Sequence, residues 1–328
     1  MRSLAAAPAS FVDAGTGEPA FGSYAGPLPR VELSGLGLRD RVARRKRWLY
    51  LALASEEVWV SLAVVRTGYA ATAFGFAYDL VKKTMLVDRT VLGPTAAARV
   101  ADGPHEQGAL ARFSLGRSNV VLARSGARMD VRAQLGALEV EAVVDESQAP
   151  PSVSAIAPLG GRLVNATEKR ALAKVSGVAR AAGRTFDLSR ASAGWDYTHG
   201  LLPRHTRWHW AFALGTTTDG APIAFNVVEG FVGEAECAAF FDGRVHPIAE
   251  PRFEMDVERP SSPWRLRGEG IDLAFAPGAV HAQHTKLVVI RSRFVQPVGT
   301  FEGTLRIGGR DVRVEGLPGV VEDQDVLW

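Results

Sequence analysis

The sequence predicts an all-β protein that consists of two similar antiparallel β-barrels in tandem. Short apolar segments rich in Val, Phe, Trp and Leu recur at fairly even spacing between Gly, Asp and Pro turn signals, which is typical of sandwiches and barrels. Segments with the period of an amphipathic helix are scarce, so a parallel sheet with helical crossovers is not expected. The two halves also resemble each other, because Arg47-Trp48 and Arg207-Trp208, 160 residues apart, each begin an aromatic strand, a turn and a second apolar strand.

Each predicted strand is an apolar or alternating segment bounded by turn residues such as Gly126, Gly220 and Gly309. The predicted strands of the first half are 47–54, 57–66, 70–79, 109–115, 119–124, 128–135 and 138–145. Those of the second half are 169–178, 204–215, 223–230, 252–257, 271–275, 286–291, 298–307 and 310–314. One short helix is predicted, near 95–101.

A change of composition at residues 147–161 suggests a boundary between the two barrels. Three prolines and two glycines replace the strand pattern in this segment, SQAPPSVSAIAPLGG, and such clusters mark loops and linkers. We therefore predict an irregular N-terminal segment (1–28), an N-terminal barrel (29–146), a linker (147–161) and a C-terminal barrel (162–328).

The composition is that of a globular protein in a reducing compartment. Of the 328 residues, 47% are hydrophobic and 22% are charged, and the single cysteine, Cys237, excludes an internal disulfide framework. The start of the chain contains no sustained apolar segment of the kind found in signal peptides. The most apolar stretches, 49–54 and 58–65, are too short to cross a bilayer. We expect a cytoplasmic protein without a transmembrane segment.

Basic residues are concentrated just before the first aromatic strand, at Arg41, Arg44, Arg45, Lys46 and Arg47. The simpler interpretation is a solvated start of a strand in an arginine-rich chain. The alternative is contact with a phosphate or a lipid headgroup. The pI is about 9.2, but the formal net charge is only +3, and no zinc-finger, RNP or helix-turn-helix pattern is present. Nucleic acid is therefore not an expected partner.

Residues 195–214 combine aromatic and titratable side chains more densely than any other part of the chain. They contain three of the seven tryptophans and three of the seven histidines. If 204–214 is a strand, alternation places one set of side chains on a common face. This set consists of Arg204, Thr206, Trp208, Trp210, Phe212 and Leu214. It predicts an aromatic wall for an apolar ligand, with Tyr197 and Thr198 nearby and Arg204 at the polar end, although it also suits an ordinary core.

Asp196 is the candidate catalytic residue. A carboxylic acid beside aromatic walls can have its pKa raised by desolvation and so keep a proton for delivery at neutral pH. The aromatic faces can then stabilise a carbocation, which suits hydration, cyclisation or isomerisation of an alkene. The alternative is a turn aspartate that pairs with Arg204 beside two core tryptophans.

Other polar residues extend this candidate site. Asn226 lies between apolar neighbours in a predicted strand and must be hydrogen-bonded if buried, and Glu229 follows it; both are candidate ligand-binding residues. Two further polar clusters are 165–169, at the start of the second half, and 322–328, which we interpret as an exposed acidic tail anchored by Trp328.

The sequence predicts neither a metal site nor a cofactor. His205 and His209 would lie about 13 Å apart in a strand at ~3.3 Å per residue, too far for one ion. No phosphate-binding glycine loop, dinucleotide fingerprint or nucleophile elbow is present.

Several segments of the second half together resemble the bacterial family named domain of unknown function 2804. These segments are 165–170 (NATEKR), 194–215, 225–230 (FNVVEG), 264–277 and 320–328. The family is distantly similar to tandem lipocalin-like proteins that include hydroxyneurosporene synthase and tocopherol cyclase. The resemblance implies two lipocalin-like, calycin-type barrels and chemistry on isoprenoid or other lipid alkenes. Two departures weaken any transfer of roles: Cys237 stands where an asparagine is expected, and Asp323 where a histidine is expected.

Three functions remain open from the sequence. The first is binding of an apolar, lipid- or isoprenoid-like small molecule. The second is a cofactor-free hydratase, cyclase or isomerase that acts on a lipid alkene with Asp196 as general acid. The third is a structural or interaction module whose barrels are filled by side chains. The oligomeric state does not follow from the sequence.

Overall fold

The computed structural model describes residues 3–33, 35–286 and 291–328. About 64% of the residues are in strands, and these form two curled antiparallel half-barrel sheets in tandem, which confirms the predicted fold class. Within the described residues, the one α-helix, α1, spans Leu38–Ala43, and short 3-10 turns lie at Thr95–Ala97 and Gly233–Glu236. The predicted helix near 95–101 is thus a single turn followed by a strand.

The first sheet has the central strand order β6-β5-β4-β3-β15-β13-β11-β10-β9-β8-β7. The short strand β12 pairs with β13 and β2, β14 pairs with β13, and β1 pairs with β2 in parallel. Its strands are β1 (Ala5–Ala6), β2 (Gly22–Ala25), β3 (Arg45–Ala54), β4 (Val58–Thr67), β5 (Ala71–Asp79), β6 (Thr84–Gly93), β7 (Ala98–Val100), β8 (Gly108–Leu115), β9 (Ser118–Ser125), β10 (Arg128–Leu135), β11 (Leu138–Asp145), β12 (Val153–Pro158), β13 (Val164–Ala181), β14 (Arg184–Asp187) and β15 (Ser192–Leu201).

The second sheet has the order β19-β18-β17-β16-β24-β23-β22-β21-β20. Its strands are β16 (His205–Thr216), β17 (Pro222–Glu229), β18 (Ala238–Phe241), β19 (Arg244–Pro247), β20 (Arg252–Glu254), β21 (Trp264–Gly268), β22 (Ile271–Lys286), β23 (Arg291–Ile307) and β24 (Arg310–Leu327). The predicted strand 286–291 falls mainly on residues 287–290, which lie outside the described residues.

The change from one sheet to the other occurs at residues 202–204, not in the Pro/Gly segment. Residues 147–161, expected to be a linker, contain β12, and the following strands β13 and β15 complete the first sheet. Pro158 is tolerated because the pairing of β12 with β2 ends at Ile156, so that Pro158 pairs with a neighbouring strand on one side only. Composition marks a local turn here, whereas strand pairing decides to which sheet a segment belongs.

The central strands of the first sheet are buried on both faces. On one face, Leu49, Leu51 and Leu53 of β3 belong to the core inside the first barrel. On the other face, Tyr50 and Ala52 of β3 belong to a second core together with residues of the second sheet, such as Trp210 and Phe212. The outer face of the first barrel therefore packs against the concave face of the second sheet.

The two segments that resemble each other in sequence meet at this junction. Trp48 lies on β3 and Trp208 on β16, and their rings stack with centroids 6.0 Å apart at an interplanar angle of 15°.

The basic cluster at the start of β3 is largely internal, so its interpretation as a solvated segment is wrong for three of its five residues. Arg45 and Arg47 form ion pairs with Asp102, at 2.7 Å and 2.6 Å. Lys46 is buried and donates a hydrogen bond to the carbonyl of Ala43, and burial lowers its pKa to about 7.

Candidate functional site

A cavity of about 220 Å³ lies between the two sheets. The register of the strands arranges its lining in rows, because residues directly opposite each other in neighbouring strands present side chains to the same face. In the first sheet, the innermost row runs from Lys169 through Asp196 and Tyr50 to Phe74. In the second sheet, the facing row contains Trp210, Glu322 and Gln296.

The next row outward is less polar. Thr198, Trp48, Val65 and Thr72 follow one another across the first sheet. Trp208, Gln324, Phe294 and Gln283 do the same across the second sheet. These side chains line the cavity. Charged groups are thus gathered at one end of the cavity, and aromatic and neutral polar groups form the walls that lead to them.

One lysine and two carboxylates form a buried ionic cluster at the innermost end of the cavity. Lys169 Nζ lies 2.5 Å from Asp196 Oδ1 and 3.2 Å from Glu236 Oε2. Burial alone would lower the pKa of Lys169, but the two carboxylates raise it above its usual value. The pKa of Glu236 is raised, first by burial and also by the neighbouring Asp196, although Lys169 opposes both effects. Lys169 is therefore the common ion-pair partner of two buried carboxyl groups, Asp196 and Glu236.

Glu322 is a third buried acid at the same end, and the lysine is not in direct contact with it. Its Oε1 accepts a hydrogen bond from Trp208 Nε1 at 2.8 Å, and its Oε2 accepts one from Gln296 Nε2 at 2.7 Å. Burial raises the pKa of Glu322 to about 7 in spite of these two donors, and the charge of Asp196 contributes to the rise. Near neutral pH, the protonated and the ionised forms of Glu322 are therefore both present.

Aromatic rings enclose the space in front of these acids. The indole of Trp210 meets the ring of Tyr50 edge-on, with centroids 5.3 Å apart at 84°. The ring of Phe74 lies 6.5 Å from that of Tyr50 and 5.5 Å from that of Phe294 in the second sheet. The stacked pair Trp48 and Trp208 lines the next row outward.

Asn226 holds two parts of the site in place from behind the wall. Its Oδ1 accepts a hydrogen bond from Trp210 Nε1 at 2.7 Å, and its Nδ2 donates to the backbone carbonyl of Glu236 at 2.8 Å. The side chain is completely buried and does not line the cavity. It is a positioning residue, which agrees with the expectation of a buried, hydrogen-bonded amide.

The structure brings four of the predicted site residues to the cavity and places the other five elsewhere. Asp196, Thr198, Trp208 and Trp210 line it. Asp196 pairs with Lys169 and not with Arg204, which is exposed in the loop before β16 and donates to the carbonyl of Trp328. Arg204 nevertheless acts electrostatically on Tyr69, a lining residue.

The remaining predicted residues, besides Asn226, do not contact the cavity. Tyr197 points to the opposite face of β15, where its hydroxyl donates to the carbonyl of Ala101 inside the first barrel. Thr206 accepts a hydrogen bond from the indole of Trp328, which itself lines the cavity. Glu229 accepts hydrogen bonds from His209 Nδ1 and from the backbone of Phe253.

The sequence patterns do not assign Glu322, Glu236 or Lys169 to the site, although all three line the cavity. The interpretation of 322–328 as an exposed acidic tail is wrong, because β24 lies between β16 and β23 in the sheet and Glu322, Asp323 and Gln324 are all buried. One available signal is that Glu322 and Gln324 alternate with Asp323 and Asp325. Alternation puts the first two on one face, and the structure shows that this face is the wall of the cavity.

The described part of the chain contains neither a cluster of metal ligands nor an exposed cysteine. No group of three or more His, Cys, Asp or Glu side chains could hold a metal ion among residues 3–33, 35–286 and 291–328. Cys237 is buried, and burial raises the pKa of its thiol well above the usual range.

No helix of the described residues is long and apolar enough to span a membrane.

A family model decides the relationship of the whole chain. Residues 6–328 match the model of the domain of unknown function DUF2804. The chain belongs to this family. The matched range contains every residue that lines the cavity. A comparison with curated protein sequences finds no match.

Solved structures show the same tandem lipocalin-like architecture. Kievitone hydratase from Nectria haematococca superimposes with a TM-score of 0.52 at 12% identity, over 94% of this chain and 98% of that one. CghA in complex with Sch210972 gives a TM-score of 0.54 at 12% identity, over 99% and 98%. A putative AttH from Nitrosomonas europaea gives 0.50 at 15% identity, over 89% and 98%. At these identities the likeness shows the fold.

Tyr197→Phe tests the division of β15 into two faces. We expect a loss of about 0.5–1.5 kcal/mol in unfolding free energy, because the carbonyl of Ala101 loses its buried hydrogen-bond donor. Ligand affinity should not change, whereas Trp210→Phe should weaken it. Urea unfolding and tryptophan-quenching titrations measure the two effects, and a weaker affinity in Tyr197→Phe would place this residue in the site.

Proposed function

We propose that the protein is a cofactor-free enzyme that transfers protons to and from a carbon–carbon double bond of an apolar small molecule. The observation that carries this proposal is Glu322, a buried acid with a pKa near 7 at the end of an aromatic cavity, beside the ionic cluster of Lys169, Asp196 and Glu236. An acid is most effective when its pKa lies near the working pH. Hydration or isomerisation of an alkene is the reaction class that this arrangement fits best.

Glu322 is the general acid in this proposal, and Asp196 is the general base. Glu322, and not Asp196, has the acid role because Asp196 forms an ion pair with Lys169 at 2.5 Å, and a carboxylate in an ion pair has no proton to donate. Lys169 holds Asp196 in place and balances its charge. Glu236 shares the same lysine, so a proton accepted by Asp196 leaves the cluster close to neutral.

The proposed reaction conserves atoms and charge. The π electrons of the alkene form a C–H bond with the proton of Glu322, and the positive charge that develops on the other carbon faces the rings of Trp210, Trp208 and Tyr50. In hydration, a water oxygen adds to that carbon while Asp196 accepts the proton of the water. In isomerisation, Asp196 removes a proton from the next carbon instead, and the double bond forms at the new position. Return of the proton from Asp196 to Glu322 regenerates the site.

Two further observations support a reaction with a bound apolar molecule. The cavity walls are mainly aromatic and aliphatic, and its polar groups converge at one end, which is the usual composition of a small-molecule site. Kievitone hydratase, which shares the fold, carries the name of a hydratase. Binding without turnover is the second candidate function, and the same apolar walls favour it.

The test combines ligand identification with isotope incorporation. Small molecules extracted from the purified protein, and a panel of isoprenoid alcohols and unsaturated fatty acids, are first ranked by quenching of tryptophan fluorescence. The bound compounds are then incubated with the protein in D2O or H2¹⁸O. We expect deuterium at carbon, accompanied by ¹⁸O if the reaction is hydration. Compounds that bind without acquiring either isotope would instead support a binding protein.

Asp196→Asn is expected to retain ligand binding and to lose at least a hundredfold in turnover, the lower end of the usual effect of general acid–base catalysis. The amide keeps the size of the side chain but cannot accept the proton. Asp325→Asn is the control, because Asp325 lies on β24 of the second sheet, on the face away from the cavity, and bonds to His205. Measurements of kcat and KM separate the two roles, and equal turnover in wild type and Asp196→Asn would remove Asp196 from the mechanism.

A further inference from the structure

The cavity opens at the end opposite the acids. The lining residues there are Thr67, Tyr69, Thr285, Ser292 and Trp328. Leu92 also lines the cavity and is 54% exposed. The rim that surrounds these residues has a composition that the proposed chemistry does not explain.

The helix α1 forms one side of the rim. It abuts the turn that carries Thr67 and Tyr69: a Cβ on Gly68 would lie 2.3 Å from the carbonyl oxygens of Arg41 and Val42. None of the residues of α1 is buried. Leu38 is 79% exposed and Val42 is 40% exposed, and residues four apart share one face of a helix. This apolar face therefore contributes nothing to the core.

Exposed basic side chains surround the apolar part of the rim. Arg39 and Arg41 belong to α1, and Lys286 and Arg291, which pair in register, follow and precede the lining residues Thr285 and Ser292. Among the described residues, none of these four side chains forms an ion pair with a carboxylate. Asp40 is the one acidic residue of α1. The opening is thus bordered by net positive charge on both sides.

We propose that this rim, defined by Leu38, Val42 and Leu92 with Arg39, Arg41, Lys286 and Arg291, docks on an anionic lipid bilayer. Peripheral binding needs two signals, apolar side chains that enter the headgroup region and basic residues that meet anionic lipid, and the rim supplies both. The bilayer is the favoured partner because α1, Leu92 and the ends of β22 and β23 adjoin the opening of an apolar cavity. A molecule dissolved in the membrane can enter the cavity without crossing water.

Flotation with lipid vesicles tests this docking without any ligand. The full-length protein is mixed with phosphatidylcholine vesicles, with or without phosphatidylglycerol, and its partition coefficient is measured. We expect binding only in the presence of phosphatidylglycerol, and weaker binding at high salt. Removal of each basic residue should weaken binding about fivefold, so Arg39→Gln combined with Arg41→Gln should weaken it roughly 25-fold.

Leu38→Glu should abolish flotation, whereas Val81→Glu should not. Val81 is the matched control, since it is 70% exposed and lies in the turn after β5, at the end of that strand away from Thr72 and the opening. Equal binding to both vesicle types, or unchanged binding of Leu38→Glu, would overturn the proposal. A wild-type dimer that Leu38→Glu converts to a monomer without vesicles would assign the rim to a second copy of the chain and would also overturn it.

The docking proposal rests on the proposed function only because both assume an apolar ligand. Docking and catalysis can be disproved separately. Flotation measures docking with an empty cavity, and isotope incorporation from a detergent-dispersed ligand measures chemistry without a membrane. If Leu38→Glu loses flotation but retains turnover in detergent, docking is established independently of catalysis. Turnover in a protein that does not float would contradict the docking proposal alone.

Discussion

Glu322→Gln is expected to lower kcat/KM by roughly 10²–10⁴-fold while ligand affinity changes little. The substitution removes the acidic proton and keeps the shape of the side chain. The new amide oxygen can still accept the hydrogen bond of Trp208 Nε1. Gln296 can present its Oε1, which has no hydrogen-bond partner, to the new amide NH2 group. We therefore expect a folded protein whose ligand-binding titrations match the wild type and whose turnover does not.

The pH dependence of turnover gives this prediction a second readout. Because the pKa of Glu322 is about 7, the wild-type rate should fall as the pH rises through 7 and the acid loses its proton. The same raised pKa makes a stability contribution that is present below the unfolded-state value and is lost as the pH rises through about 7. Glu322→Gln should flatten both profiles. A rate that rises through pH 7 would identify Glu322 as a base.

Lys169→Met is expected to destabilise the protein by about 3–5 kcal/mol at neutral pH, the usual cost of removing one partner of a buried ion pair. The substitution leaves Asp196 and Glu236 buried without their common cation. Burial without the lysine disfavours the ionised carboxylates, so protonation of the cluster reduces the cost. The deficit should therefore be larger at neutral pH than at acidic pH. Urea unfolding at several pH values measures it.

The control for Lys169→Met is the triple variant with Asp196→Asn and Glu236→Gln. This variant has no buried charge in the cluster, so it should recover much of the lost stability and lose the pH dependence of the deficit. If the single and triple variants are equally unstable at all pH values, packing of the lysine side chain accounts for its effect, and the electrostatic account of the cluster is wrong.

Alternation predicts the aromatic wall correctly, because it depends only on the two-residue period of a strand. Trp208 and Trp210 share a face of β16 and line the cavity as expected. The same rule, applied to Asp196 and its neighbour Tyr197, puts their side chains on opposite faces, and the structure agrees. Grouping those two residues in one site relied on proximity in sequence, which is misleading within a strand.

The acidic end of the cavity depends on pairings between distant segments, which the local pattern does not contain. Trp210 faces Glu322 only because β24 pairs with β16. Lys169 meets Asp196 only because β13 pairs with β15. A run of acids near the end of a chain is usually solvated, and Glu322 is buried because its strand lies inside the sheet.

Amino-acid composition does not predict the boundary between the sheets, for a related reason. Proline and glycine predict where the chain turns, and the segment 147–161 does turn, yet β12, β13 and β15 return to the first sheet. The sequence resemblance between the segments at Trp48 and Trp208 predicts the arrangement better. Each segment contains a strand that lines the cavity, β3 in the first sheet and β16 in the second.

The most direct test of the whole account is the pKa of one carboxyl group in the ligand-free protein. Carbon-13 NMR of the side-chain carboxyl carbons of glutamate, compared between wild type and Glu322→Gln, assigns and titrates Glu322 without knowledge of the substrate. We predict a midpoint at about 7. A midpoint near the ordinary value of 4.5 would leave this acid ionised at neutral pH and would contradict its role as the proton donor.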